Sequence, residues 1–130
     1  MGVKGAYLTL TLSRVAHLAS TPTERRRKIE TAHSYYGRFD NVFTGPGIVD
    51  NGMVRPLPRA QSIEDLAESL LICTAQEMID KLAPYAELGI DRVILNMNFG
   101  LPQNQTMESI QAFAEEVMPH FDTAPPRAAE

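Results

Sequence analysis

The chain has no tryptophan, a single cysteine, and no apolar run approaching the ~18 residues that a membrane span requires. With only Cys73, an internal disulfide framework is excluded, and a reducing, cytoplasmic setting is the expectation. His17, His33 and His120 lie 16 and 87 residues apart, a spacing that fits no metal motif, so no metal site is expected. There is no Gly-rich phosphate loop; Gly45-Pro46-Gly47 does not fit a dinucleotide fingerprint. Met1 to Thr11 has one lysine among alternating polar residues and reads poorly as a signal peptide. Basic residues are scarce beyond the middle of the chain. Residues 1–61 carry 9 basic and 4 acidic groups, whereas residues 62–130 carry 3 and 12. Nucleic acid is therefore not expected as a partner of the acidic half, nor is a membrane.

What is present is punctuation for alternating strands and helices. Leu70 to Cys73 is a short apolar run, followed by Thr74-Ala75-Gln76-Glu77 in capping-box form. Met78, Ile79, Leu82, Tyr85 and Ala86 recur at helical spacing, and Gly89 is a stop signal. Pro84 predicts a disturbance in this helix, because proline removes a donor and crowds the preceding turn. Val93-Ile94-Leu95 reads as a buried strand, with 93–97 as its extent, and Asn98 to Pro102 reads as a turn. A second stripe runs through Met107, Ile110, Phe113, Ala114, Val117, Met118 and Phe121.

Upstream, Tyr7, Thr9 and Thr11 alternate with Leu8, Leu10 and Leu12, which predicts a strand over 6–12. Thr21-Pro22-Thr23-Glu24 opens a helix with Ile29, Ala32, His33, Tyr36, Phe39 and Phe43 on its apolar face; Gly37 weakens its middle. The cluster Arg25-Arg26-Arg27-Lys28 reads as a solvated face of this helix. Residues 44–60 hold Gly45, Pro46, Gly47, Gly52, Pro56 and Pro58 and read as a long irregular loop. Ser62 caps a short helix. The tail 122–130, with Pro125-Pro126, is expected to be flexible. Three strands each followed by a helix imply an α/β fold with a parallel sheet, whose ligands sit at the carboxyl ends of strands.

The run Ile72-Cys73-Thr74-Ala75-Gln76-Glu77-Met78-Ile79-Asp80-Lys81-Leu82, then Tyr85, then Leu88 to Leu95, resembles the last βαβ unit of bacterial luciferase-like flavin monooxygenases. So does the close, Phe99-Gly100 running on to Phe113-Ala114-Glu115-Glu116-Val117-Met118-Pro119-His120-Phe121. The family usually has a Gly-Thr-Pro type turn where Cys73-Thr74-Ala75 stands. The match is good from Leu71 to Phe121 and loose from Ala6 to Phe43. The resemblance implies that residues 1–121 form the last three βα units of a (βα)₈ TIM barrel, a partial barrel. It implies an oxidoreductase in which reduced flavin (FMN) and dioxygen oxidise a small organic substrate, the flavin being held mostly by groups from earlier strands. Three strands leave two bare edges. A homo-oligomer or a complementing chain is therefore expected, with the apolar sides of Leu71, Leu95 and Met97 uncovered. The other reading is a non-catalytic α/β module that self-associates through those edges.

Few residues are candidates for chemistry. His17, placed just after the first expected strand, is a candidate general base. His33 and His120 read as structural. Cys73 abuts a helix N-terminus but has no arguable His-Asp partner, so it reads as packing. Asn96 and Asn98 alternate on the last strand, and two readings stay open: they line a pocket mouth, with Phe99 packing against a flavin or an apolar substrate, or they serve hydrogen bonding within the barrel core or loop.

Overall fold

Strand β1 (Thr11–Leu18) is the centre of the fold. In the computed structural model, which describes residues 8–121, it has a parallel partner on each side. β4 (Leu71–Cys73) pairs with its carboxyl half, Ala16 opposite Leu71 through Leu18 opposite Cys73. β5 (Arg92–Asn96) pairs with its amino half, Thr11 opposite Arg92 through Val15 opposite Asn96. The sheet order is β4-β1-β5.

Successive strand residues face opposite sides, and β1 uses both. Val15 and Ala19 join Ile29 and Ala32 of α1 (Pro22–Phe43) and Leu66 of α2 (Ile63–Ser69) in one core. Ala16 joins Met78 and Leu82 of α3 (Ala75–Glu87), with Met97 and Val117, in a second core on the opposite face. α4 (Gln103–Ala112) lies on that second face and continues as a π turn, Phe113–Val117, and a 3₁₀ turn, Met118–His120. The α/β class and the parallel strands are as expected. Consecutive barrel units, however, would keep their strands in chain order with the helices all outside. Here β1 stands between β4 and β5, and helices cover both faces, the arrangement of a doubly wound sheet.

The first strand lies later than its alternation predicts, at 11–18 rather than 6–12. Leu8 and Leu10 are exposed, whereas Val15, Ala16 and His17 are buried between two neighbours. Pairing partners, which a local pattern does not contain, fix where the strand runs. Residues 6 and 7, like the tail 122–130, lie outside the described residues.

The segment 44–60 is not structureless. β2 (Val49–Asp50) and β3 (Met53–Val54) form a small hairpin around Asn51-Gly52. Both turn residues have positive φ, 49° and 78°, as a two-residue hairpin turn demands. The arm is pinned to α1 by Asn41, which is fully buried. Its Nδ2 donates to the carbonyls of Ile48 and Arg55 at 2.8 and 2.7 Å, and its Oδ1 accepts from the Ile48 amide at 2.9 Å. Gly37 has a packing role: a Cβ there would meet the Leu57 carbonyl oxygen at 2.8 Å, and the Leu57 amide donates to Gly37.

α3 opens on the expected capping box. Thr74 Oγ1 accepts from the Glu77 amide, and the Glu77 carboxylate accepts from the Thr74 amide. Pro84 sits within the last turn without ending the helix, and Gly89 closes it at φ 81°. The stripe after the turn at Asn98 faces differently from its prediction. Val117 is buried as expected, with Phe113 and Phe121 packed against the second core, but Met107, Ile110 and Met118 are exposed, and Thr106 and Ser109 are buried instead. Leu71 and Met97, expected bare, are covered, and Leu95 is half-buried against the second core; Ile94 is the exposed apolar residue of β5.

Candidate functional site

In a doubly wound sheet, loops leaving neighbouring strands toward opposite faces open a crevice at the strands' carboxyl ends. Here those strands are β1 and β5, followed by Ala19–Thr21 and Met97–Leu101. The crevice is closed by the chain's own side chains. The Leu18 amide donates to Ser109 Oγ at 2.9 Å, and Thr106 Oγ1 reaches the Met97 carbonyl at 3.4 Å. Arg27 of α1 joins Gln105 of α4 across the top at 3.0 Å.

His17 lies inside β1 rather than after it, and it is fully buried. Its Nδ1 is 3.2 Å from the Leu18 carbonyl oxygen, and Nε2 has no partner. Burial lowers its pKa, opposed by that carbonyl contact, so the ring is neutral at pH 7. With no exposed surface, it lacks the substrate access that a general base needs. Phe99, 1% exposed, packs edge-on against it. Asn96 donates through Nδ2 to Tyr35 Oη at 3.4 Å and accepts from the Asn98 amide at 3.1 Å, an Asx-type turn that ends β5. Asn98 is exposed. Asn96 and Asn98 both line an open cleft of about 570 Å³ beside β5, with Leu95, Thr106 and Ile110, whereas Phe99 faces the core and does not join them.

The basic cluster is only partly a solvated face. Arg25 Nε donates to the Ile72 carbonyl at 2.8 Å, covering the outer edge of β4. Lys28 is buried, donates to the Leu18 carbonyl, and pairs with Glu24 at 2.8 Å. The bond from Lys28, and then that from the Ser20 amide, lower the Glu24 pKa. Buried Lys28 is thus satisfied in place, as a buried cation must be. Sequence periodicity marked it as surface; no local signal distinguishes it from Arg26 and Arg27.

Cys73 is buried, and desolvation raises its thiol pKa, so it is an inert packing residue. His33 holds the Gln61 carbonyl at 3.0 Å, and His120 is exposed on the last turn. Among the described residues no cluster of three His, Cys, Asp or Glu could hold a metal, and no helix is long and apolar enough to cross a membrane.

A bound FMN needs a phosphate cradle and a flat slot for its ring system. The amino ends of α1 and α3 flank one opening, lined by Ser20, Thr21, Arg25 and Thr74. Two of the backbone donors are already occupied: Glu24 accepts from the Ser20 amide and Glu77 from the Thr74 amide. A phosphate there would meet two carboxylates, and Phe99 offers no ring face. These residues do not by themselves fit a flavin.

No protein-family model matches the chain, nor does any curated protein or solved structure.

Proposed function

We propose that this chain is the carboxyl-terminal portion of a luciferase-like flavin-dependent monooxygenase, a βα module that holds no flavin alone and completes a site only with further strands. The observation that carries the reading is the continuous motif from Leu71 to Phe121, whose strand, capped helix, glycine stop, strand and closing helix follow the family's order. In such an enzyme, reduced flavin and dioxygen oxidise an organic substrate; this module would supply Asn98 and the Asn96 turn to the rim of the site. Barrel closure would also require β5 to exchange β1 for β4 as its neighbour, a rearrangement that added strands must impose.

Mixing the purified chain with the amino-terminal portion of a luciferase-like monooxygenase tests this. The mixture should retain FMN through gel filtration, while neither part alone should. Failure of the mixture to retain flavin refutes the reading.

A second reading has its own support. Ile94 on the outer strand is 53% exposed, and Met107, Ile110 and Met118 of the closing helix are exposed as well. Long apolar edges pair with other chains, which favours a non-catalytic module that associates through β5.

A further inference from the structure

β1 spans eight residues, yet β4 covers only Ala16 to Leu18 on its side. The Ala19 amide donates to the Cys73 carbonyl, so Ala19 turns its backbone toward β4. By strand alternation Ser13 and Val15 turn the same way. The Val15 carbonyl is taken by the first residue of β4, Leu71, but the Val15 amide and the Ser13 backbone face no strand. They face a cleft of about 580 Å³, lined among others by Arg14, Tyr36, Glu68, Leu70, Lys81 and Tyr85. This notch is where β4 would continue were it not preceded by α2.

The two walls differ in chemistry. On the α3 side, Lys81 and Tyr85 lie one helical turn apart, and the Arg14 guanidinium sits 5.7 Å from the Tyr85 ring centroid. No ion pair of the described residues involves Arg14 or Lys81. On the α1 side stand Tyr36 and Leu70, with Arg59 5.2 Å from the Tyr36 ring. Glu68 is the one acidic residue lining the notch. Arg14 also donates to the Ser13 carbonyl at 2.8 Å, occupying the acceptor that an added strand would use.

We infer that this notch is a docking groove for an extended acidic peptide from another protein, which pairs with the free edge of β1 at the Ser13 backbone and the Val15 amide while its carboxylates meet Arg14 and Lys81. Edge addition gives affinity through main-chain bonds and specificity through alternate side chains. A strand in the notch sends alternate side chains to the two walls, so acidic residues face Arg14 and Lys81 and apolar ones face Tyr36 and Leu70. Arg14 guards the edge when the groove is empty and exchanges the Ser13 carbonyl for a carboxylate when it is filled. Docking here does not depend on a flavin.

Fluorescence anisotropy of a short labelled peptide of alternating glutamate and valine tests the groove. Saturable binding is expected. Methylating the peptide's alternate backbone nitrogens should weaken it by about tenfold, because main-chain bonds are lost. Lys81→Glu should weaken it by roughly fivefold or more and Glu68→Lys should tighten it, with circular dichroism confirming that both fold. No saturable binding at millimolar peptide, or equal binding of the methylated peptide, overturns the inference: the first removes the site, and the second reduces it to charge attraction.

Discussion

His17 stands edge-on to Phe99, with ring centroids 5.8 Å apart and planes at 79°. The pair locks the carboxyl end of β1 to the loop that leaves β5. An imidazole in this position serves packing, and its charge state becomes a matter of stability.

Burial lowers the His17 pKa in the folded state below its ordinary 6.5. The unfolded chain therefore takes up the proton first, and stability is lost as pH falls below 6.5, by at most about 1.4 kcal/mol per pH unit. Carboxylates such as Glu24, with its lowered pKa, lose stabilisation only in more acidic solution. Urea midpoints between pH 7.5 and 5.5 should show the decline in the wild type and a smaller one in His17→Leu. An unchanged slope in the variant would place the proton uptake elsewhere.

Gly37→Ala should destabilise the protein. In an open helix this change gains up to about 1 kcal/mol. Here the new methyl meets backbone at Leu57, and overpacking costs about 1–3 kcal/mol. A raised melting temperature would show that the arm yields freely.

Asn41→Ala removes three bonds to backbone inside the molecule. At about 1 kcal/mol each the loss is roughly 3 kcal/mol. It should concentrate in the arm: limited proteolysis should cut within 44–60 while the sheet remains protected. Cleavage no faster than in the wild type would contradict this role.

Ile94→Lys places a charge on the outer edge of β5, the means by which edge strands are kept from pairing. If the chain associates through β5, sedimentation should show the wild type growing in mass with concentration and the variant staying near 14.4 kDa. Identical behaviour of the two would remove β5 from the interface.

Much of the fold is legible in local pattern. The capping box of Thr74 and Glu77, the glycine stop at Gly89 and the β-branched run at 93–94 each state their element within a few residues. What is not legible is partnership. Nothing near Val15 says that β1 will stand between β4 and β5, and that placement buries His17 and moves the strand to 11–18. Lys28 reads as surface among three arginines until the Leu18 carbonyl arrives from another element. The Asn51-Gly52 turn was readable: those residues between Val49 and Met53 are a hairpin signal, masked by the prolines and glycines around them. Asn96 and Asn98 look like pocket residues by alternation, and both line the cleft beside β5, but the strand ends at Asn96 and the turn sends Phe99 into the core.

The most direct measurement is an FMN fluorescence titration of the purified chain, repeated with a luciferase-like amino-terminal barrel portion present. No saturable quenching is expected with the chain alone, because Glu24 and Glu77 hold backbone donors at the helix ends and Phe99 is buried. Saturable quenching is expected once the partner is added. Tight, stoichiometric binding by the chain alone, or no binding in either arm, would contradict the proposed function.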